Sequence, residues 1–267
     1  MPNQDNQECV YGVHPVHHAL ETGTRYCYRI VLEKNKNPAR LNDIQTLARK
    51  RKITVEFLPR EAFRKRFGEL GQQGVVGFFA PVPTLGLHAL MENAFKATER
   101  PVVALLDGIQ DPQNLGALIR SAYVLGMQGL IVPKHRAAPL NDTVARCSSG
   151  AIEHLPVSVV TNLNSAIAAL KESGFWIVGV DMEGSPSCDR FEFNMAVALV
   201  IGGEGKGLRL STRKACDFVV SIPMDGELGS LNASVAGGIL FYEILRQRRA
   251  NPNPASSSKH TNKKNRL

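Results

Sequence analysis

Three separate stretches of the sequence set polar side chains among glycines and apolar residues. The first, DPQNLGALIRSAYVLG (111–126), contains the amide of Asn114 and the guanidinium of Arg120. Its apolar residues recur at helical spacing, so Arg120 falls on the opposite side of the helix, near Gly116 and Tyr123, and Asn114 is placed to cap the helix. An arginine in this position is a solvated surface group in most helices. The alternative is an arginine that projects into a cleft and binds an anion.

The second stretch, IGGEGKGL (201–208), is a glycine-rich turn that follows an apolar strand. Glycine permits positive φ and a close approach of the backbone to a ligand, so the turn is a candidate cofactor cradle. It contains neither the GxxxxGK[ST] pattern of a phosphate-binding P-loop nor the GxGxxG pattern of a dinucleotide site. Glu204 within the turn is also unsuited to binding a phosphate.

The third stretch, IPMDGELGSLNASVA (222–236), precedes the last apolar-periodic segment. Ser230 and Asn232 are both placed to cap a long final helix that carries Val235 and Ile239 on its apolar side. Capping explains these two residues structurally. The same stretch follows a strand and offers backbone donors and acceptors with little side-chain bulk, which also suits a ligand.

Apolar runs in the second half of the chain predict the strands that carry these stretches. Helical patterns separate most of the runs, which indicates a parallel α/β sheet buried on both faces. Ligands of such sheets bind beyond the carboxyl ends of the strands, so the loops after the runs are where a site is expected. The predicted strands are 102–106, 129–132, 175–180, 196–201 and 218–222.

The first 80 residues alternate helical and strand patterns and predict a separate, small α/β domain. Its predicted strands are 26–32, 53–57 and 75–80, and its predicted helices are 15–22, 40–51 and 60–67. The next stretch contains a short helix and is flanked by Pro81, Pro83 and Pro101, which is typical of a linker. The predicted organisation is a small N-terminal domain (1–80), a linker (81–100), a larger α/β domain (101–249) and a disordered basic tail (250–267).

The net charge of +8 over 267 residues is distributed unevenly. Residues 34–66 contain eleven basic and three acidic side chains, whereas residues 67–245 contain twelve basic and seventeen acidic ones. A concentrated basic block favours a polyanionic partner, and neutralising it should flatten the salt dependence of nucleic-acid binding. The predicted nucleic-acid contacts at the end of the second helix are Arg49, Lys50, Arg51 and Lys52. The tail is either an electrostatic arm or a solubilising terminus.

The five cysteines are odd in number and form no CxxC pair, which predicts free thiols and neither a disulfide framework nor a cysteine zinc site. The sequence has no apolar run of about 18 to 20 residues and no signal-peptide pattern at its start. We therefore expect a cytoplasmic protein.

Taken together, the three stretches closely resemble the three motifs of the SpoU (TrmH-like) family of RNA ribose 2′-O-methyltransferases, within the SPOUT superfamily. The resemblance spans 100–249, and CSSGAIEHLPV (147–157) also fits it. VYGVHPVHHAL (10–20), followed by a small α/β domain, looks more loosely like the RlmB-type subgroup, which methylates a guanosine of 23S ribosomal RNA.

This resemblance implies an S-adenosyl-L-methionine cofactor, a parallel-sheet trefoil-knot catalytic domain, a homodimer and an L30e-like N-terminal RNA-binding domain. The residues that match the cofactor site are Gly202, Gly203, Ile222, Met224 and Leu231. The residues that match the polar active-site positions are Asn114, Arg120, Glu204, Ser230 and Asn232.

The implied reaction is transfer of a methyl group from a sulfonium to a ribose 2′-hydroxyl, a poor nucleophile at neutral pH. The family mechanism makes the arginine a base, yet a guanidinium stays protonated in proteins. Our hypothesis is that Arg120 binds an RNA phosphate and stabilises the developing alkoxide, while Asn114 and Glu204 orient it or the acceptor hydroxyl. Positioning and charge stabilisation then account for the rate, and no metal is required.

Other functions are compatible with parts of the pattern. The separate N-terminal domain favours a ribosomal RNA enzyme. The nearest alternative is a transfer RNA 2′-O-methyltransferase of the same family. The residues of the three motifs match a base-methylating relative less well. An oxidoreductase is disfavoured because the sequence lacks the GxGxxG pattern of a dinucleotide site. A catalytically inert RNA-binding assembly factor is disfavoured by the joint presence of Asn114, Arg120, Glu204 and Asn232.

Overall fold

The computed structural model describes residues 7–36, 38–203, 207–226 and 230–251, without the side chains of 38–40. Ten strands in this part of the chain form two sheets. The first sheet contains four strands in the order β1-β4-β2-β3, with only β2 and β3 parallel. Its strands are β1 (Glu8–Tyr11), β2 (Cys27–Glu33), β3 (Thr54–Leu58) and β4 (Val75–Phe79). Its helices are α1 (Val13–Thr22), α2 (Pro38–Lys50) and α3 (Arg60–Phe67).

The second sheet contains six strands in the order β10-β8-β9-β5-β6-β7, and every pairing in it is parallel. The predicted α/β class and parallel sheet are therefore confirmed. Its strands are β5 (Val102–Asp107), β6 (Gly129–Pro133), β7 (Val157–Val160), β8 (Trp176–Val180), β9 (Val197–Gly202) and β10 (Phe218–Val220). The helices around it are α4 (Leu87–Ala97), α5 (Pro112–Val124), α6 (Asp142–Cys147), α7 (Leu163–Glu172), α8 (Leu210–Ala215) and α9 (Ala233–Ala250).

Two strands, β1 and β7, were missed by the sequence prediction. Each has four residues and lies at the edge of its sheet. The apolar signal of such a segment is too short to distinguish a strand from a loop. Pairing with a neighbour makes these segments strands: Glu8 pairs opposite Phe79, and Leu130 pairs opposite Val157.

Helices cover both faces of the six-stranded sheet, which explains its continuous apolar strands. Successive residues of β5 point to opposite faces, so Ala104 and Leu106 pack with residues of α5 and α9, whereas Val103 and Leu105 pack with residues of α4 and α7. Helix α4 lies in the segment predicted as a linker and contributes Leu90, Met91 and Ala94 to the second of these cores. Among the described residues, no helix combines the length and apolar character that a bilayer crossing requires.

Candidate functional site

A cavity of about 400 Å³ opens at the carboxyl ends of the central strands and the start of α9. This volume is within the usual range of small-molecule sites, and its position agrees with the rule for parallel sheets. The five residues predicted to bind the cofactor all line this one cavity, together with Ser230. Its complete described lining is Val180, Asp181, Met182, Ile201, Gly202, Gly203, Gly207, Ile222, Met224, Ser230, Leu231, Ala233 and Ala236.

Two glycines at the end of β9 have no room for a side chain. A Cβ on Gly202 would lie 2.3 Å from the carbonyl carbon of Gly207, and a Cβ on Gly203 would lie 2.5 Å from the carbonyl oxygen of Gly108. The backbone at the end of β9 therefore packs directly against two other stretches of backbone, the glycine turn at Gly207 and the loop after β5 at Gly108. The predicted active-site residue Glu204 is in this turn and lies outside the described residues.

A buried carboxylate fixes the end of the glycine turn. Asp107, the last residue of β5, is 2% exposed and accepts hydrogen bonds from the Arg209 backbone N–H at 3.2 Å and from Arg209 Nε at 2.6 Å. This pair attaches the returning chain to the neighbouring strand. The sequence analysis did not single out Asp107, although an acidic residue that closes an apolar strand was the available signal.

The loop after β8 supplies cavity residues that the sequence analysis also missed. Asp181 and Met182 line the cavity beside Val180, the last residue of β8, and Asp181 places a carboxylate there. The signal for them was present, because they directly follow a predicted strand and the rule about carboxyl ends applies to every strand of the sheet.

The chemistry of the lining fits S-adenosyl-L-methionine. Apolar side chains such as Ile222 and Leu231 suit an adenine ring, and the closely packed glycines present backbone groups for its polar edges. The Asp181 carboxylate offers an opposite charge to a ligand that carries a sulfonium and an ammonium. We therefore assign the predicted cofactor residues to this cavity as a proposal.

Substitution of Gly202 by alanine is expected to weaken S-adenosyl-L-methionine binding by about tenfold or more, because the new methyl group would push Gly207 away and deform the cavity. Isothermal titration calorimetry measures the change. Gly226→Ala is the matched control, since a Cβ at Gly226 meets open space. Equal affinity in the two variants would contradict the assignment of this cavity.

Asn114 and Asn232 join the first and third predicted stretches. Asn232 Nδ2 donates to Asn114 Oδ1 at 3.0 Å, while Asn232 Oδ1 caps α9 by accepting from the backbone N–H of Ser234 at 2.9 Å. The predicted capping role of Asn232 is thus confirmed, whereas Ser230 lies before the cap and lines the cavity.

The prediction that Asn114 caps its helix is wrong. Asp111 caps α5, because its side chain accepts from the Gln113 backbone N–H at 3.0 Å, and Pro112 occupies the first helical position that proline favours. Asn114 is therefore inside the first turn, 8% exposed and directed at α9.

Arg120 is exposed on α5 and contacts a different part of the molecule. Its Nη1 donates to Ser149 Oγ at 3.0 Å, and it is absent from the described lining of the cavity. Gly116 does not form an open floor for Arg120, because a Cβ there would lie 2.5 Å from Cys147 Cβ, so it serves as the point where α5 approaches α6. Within one chain, Arg120 and the cofactor cavity are thus separate.

The segment that holds Ser149 also forms the junction between the two domains. Arg25, just before β2, donates from Nε to Glu153 Oε2 at 3.0 Å and from Nη2 to the other oxygen, and both side chains are fully buried. Arg25 Nη1 also donates to Glu8 at 3.0 Å and to the Ala80 carbonyl oxygen at 3.3 Å. Burial raises the pKa of the Glu153 carboxyl, and the charge of Arg25 opposes that rise.

The predicted RNA contacts lie near the domain junction. Arg49, Lys50, Arg51 and Lys52 are all exposed at the end of α2. Arg51 Nη2 donates to the Glu21 carbonyl oxygen at 2.9 Å, and His18, one turn earlier on α1, contacts His154 of the catalytic domain. The basic cluster is therefore beside the end of α1, the helix that reaches the catalytic domain. The predicted basic tail is outside the described residues from position 252 onward.

The five cysteines are free thiols, as predicted. Burial raises the pKa of Cys27 to about 12 and that of Cys216 to about 11, so both remain protonated at neutral pH. Neither is placed to act as a nucleophile.

Comparison with known proteins identifies both parts of the chain. Residues 101–242 match the SpoU rRNA Methylase family, and residues 9–85 match the RNA 2′-O ribose methyltransferase substrate binding domain. A Bacillus subtilis protein assigned to the TrmH family of tRNA/rRNA methyltransferases is 40% identical over 227 residues, which are 84% of this chain and 90% of that protein.

Solved structures agree with the sequence matches. The SpoU methyltransferase AviRb from Streptomyces viridochromogenes superposes with a TM-score of 0.79 and 28% identity, over 92% of this chain and 91% of AviRb. Its complex with AdoMet gives a TM-score of 0.77 at 28% identity, over 93% and 95% of the two chains. The TrmH/SpoU tRNA modifying enzyme of A. aeolicus gives 0.52 at 26% identity, over 61% and 83%.

These matches cover the catalytic sheet, the cavity at its carboxyl edge and the separate N-terminal domain, so resemblance and geometry lead to the same family. The chain belongs to the SpoU rRNA methylase family and is an S-adenosyl-L-methionine-dependent RNA 2′-O-methyltransferase.

Proposed function

We propose that this enzyme methylates the ribose 2′-hydroxyl of a guanosine in large-subunit (23S) ribosomal RNA in the cytoplasm. The N-terminal domain carries this proposal, because the buried Arg25–Glu153 pair fixes it to the catalytic domain, with its basic cluster beside the helix that contacts that domain. A fixed second domain can contact a folded RNA at a distance from the reacting nucleotide. In support, the tRNA modifying enzyme of A. aeolicus matches only 61% of this chain, which is too little to include both domains.

The chain's own residues have distinct roles in this proposal. The cofactor supplies an electrophilic methyl group on a sulfonium. The cavity between β8, β9 and α9 binds the cofactor, and Ser230 at its exposed side contacts the acceptor ribose. Arg120 binds an RNA phosphate and stabilises negative charge on the 2′-oxygen, because its planar, permanently charged fork suits an oxyanion. Asn114 and Asn232 hold α5 and α9 in register.

A homodimer completes the active site. Val235, Ile239 and Tyr242 form an exposed apolar stripe along one side of α9, and Tyr123 and Val124 are exposed on α5. An exposed apolar surface of this kind is typical of an interface between subunits. Since Arg120 is on α5 and away from its own cavity, we propose that pairing of these helices places the arginine of one copy near the cavity of the other.

Replacement of Ile239 by aspartate is expected to convert the dimer to a monomer, because a charge would be buried in an apolar interface. Sedimentation equilibrium measures the mass. Leu210→Asp is the control, since Leu210 is an exposed apolar residue on α8, outside the stripe. A variant at position 239 that stays dimeric would place the interface elsewhere.

Neutralising Arg49, Lys50, Arg51 and Lys52 to glutamine is expected to weaken RNA binding and to reduce the magnitude of the slope of log K against log salt by about 3 to 4, since four phosphate contacts contribute about 0.7–0.9 each. Filter binding across a salt series measures the slope. Arg51→Gln alone is a control for the hydrogen bond to Glu21. An unchanged slope in the fourfold variant would assign RNA binding to another surface.

The function is tested by mapping 2′-O-methyl groups in total RNA from cells with and without the gene. Loss of one guanosine signal in 23S ribosomal RNA is the expected result, restored by the gene but not by its Arg120→Ala variant. Loss of a transfer RNA signal would establish the alternative substrate. Unchanged methylation together with no heat of S-adenosyl-L-methionine binding would indicate an inert assembly factor.

A further inference from the structure

Asp107 contacts both ends of the glycine turn that borders the cofactor cavity. Its carbonyl oxygen accepts from the Gly203 backbone N–H at 2.9 Å, where the chain enters the turn. Its carboxylate accepts from Arg209, where the chain leaves the turn, through the backbone N–H at 3.2 Å, Nε at 2.6 Å and Nη2 at 2.5 Å. Asp107 and Arg209 are 102 positions apart, so the parallel sheet brings them together.

The composition of the turn gives it little shape of its own. Four of the seven residues from 202 to 208 are glycine, which has more backbone freedom than any other residue and loses the most on ordering. Gly207 has a left-handed backbone at φ 57, and it pairs with Gly203 in a single antiparallel bridge. The cavity wall that these two glycines form therefore depends on contacts from outside the turn.

Two side chains directly after the turn supply such contacts. Leu208 is 6% exposed and belongs to the apolar core that β8 and α7 share, where a Cβ on Gly179 would lie 2.7 Å from Leu208 Cδ1. Arg209 supplies the polar contact: the Asp107 side chain is fully buried, whereas that of Arg209 is 48% exposed. A buried carboxylate needs a paired cation, and in the described part of the chain Arg209 is the one that Asp107 has.

We propose that Asp107 and Arg209 are positioning residues for S-adenosyl-L-methionine: their charge-assisted contact fixes the glycine turn in the shape that forms the cavity wall. Neither residue is in the described lining of the cavity, so both act on the ligand only through the turn. A wall that is fixed before binding spares the ligand the entropy cost of ordering it, which raises the affinity. The inference rests on the assignment of the cofactor to this cavity.

Arg209→Met tests the inference, because it keeps an extended side chain and removes the charge and the donors. We expect S-adenosyl-L-methionine to bind at least about tenfold more weakly by isothermal titration calorimetry. Hydrogen–deuterium exchange of the ligand-free variant should be faster in the peptide that contains Gly203, since the N–H of that residue donates to Asp107. Circular dichroism confirms that the variant is folded at the temperature of the titration.

Arg209→Lys separates the positioning role from stability. The ammonium keeps a positive charge beside the buried carboxylate but lacks the planar fork, so its affinity should lie between those of the wild type and Arg209→Met. This variant also keeps the charge of Asp107 paired, and so preserves the comparison if Arg209→Met does not fold. In that case wild-type affinity in Arg209→Lys would overturn the inference.

Lys171→Met controls for the loss of an ion pair as such. Asp217 accepts from the Ile177 backbone N–H at 2.9 Å and from Lys171 Nζ at 2.6 Å, so it makes the same kinds of contact as Asp107 in the same domain. None of these three residues is in the described lining of the cavity. Loss of this pair should lower the melting temperature slightly without changing the affinity for S-adenosyl-L-methionine. An equal loss of affinity in Lys171→Met and Arg209→Met would assign the effect to general stability and overturn the inference.

Gly202→Ala separates the positioning role from the assignment of the cavity. Weakened binding in Gly202→Ala with wild-type affinity in Arg209→Met would overturn the positioning role and leave the cavity in place. Wild-type affinity in both variants would overturn both, since the cofactor would then bind elsewhere.

Discussion

Replacing Arg120 with alanine is expected to lower the rate of methyl transfer about 10²- to 10³-fold while the dissociation constant of S-adenosyl-L-methionine stays the same. The first effect follows from loss of a preorganised cation at the developing alkoxide, which is worth about this much in other oxyanion sites. The second follows from position, because Arg120 is outside the described lining of the cofactor cavity and contacts Ser149 instead. Single-turnover transfer of labelled methyl groups and calorimetry measure the two quantities.

Two further variants separate charge from geometry at this position. Arg120→Lys keeps the charge and removes the planar fork, so a loss of at least about tenfold is expected if bidentate contact matters. Ser149→Ala removes only the oxygen that accepts from Arg120 Nη1 and should have a smaller effect on the rate. Near-complete activity in the lysine variant would show that a point charge is sufficient and would reject bidentate recognition.

Replacing Arg25 with methionine is expected to lower the free energy of unfolding by about 3–5 kcal/mol, because Glu153 would remain buried without its partner. Urea denaturation measures the change. In this variant burial alone acts on Glu153 and raises the pKa of its carboxyl further. The folded variant therefore favours the protonated acid, and the destabilisation should be largest at high pH and shrink as the pH falls toward the ordinary range of glutamate.

An exposed pair provides the control for this experiment. The side chains of Arg66 and Glu56 are 39% and 38% exposed, so Arg66→Gln should change the stability by no more than about 1 kcal/mol. The double variant Arg25→Met with Glu153→Leu should be more stable than Arg25→Met alone, since no unpaired charge remains at position 153. Equal effects of Arg25→Met and Arg66→Gln would show that the junction is not a buried ionic contact.

Arg120 and Arg25 both contact the same short segment of the chain. Ser149 contacts Arg120, and Glu153 four positions later contacts Arg25 in the other domain. Ser149 also has a left-handed backbone at φ 53, which a non-glycine residue adopts only when its surroundings hold it there. The placement of the N-terminal domain and that of Arg120 thus depend on the same short loop.

Local patterns were sufficient for five of the six strands of the catalytic sheet and for about half of the described residues that line the cavity. Strands buried on both faces are continuous apolar runs, so β5 and β9 were recognisable without their neighbours. The glycine turn and the stretch before α9 were recognisable for two reasons. Their residues match family motifs, and both follow a strand at the edge of the sheet where ligands bind. The wrong prediction of the cap of α5 also has a local cause. Proline favours the first position of a helix, so α5 begins at Pro112 and Asp111, not Asn114, caps it.

The sequence by itself determined the fold class, the family and the cofactor, because these depend on periodicity and on motifs within continuous segments. Only the tertiary structure decided which distant residues meet. Arg25 and Glu153 are 128 positions apart and His18 and His154 are 136 apart, and no local pattern records either contact. Such contacts depend on how two domains pack, since a long-range pairing is stable only when the surrounding buried surface brings both groups together.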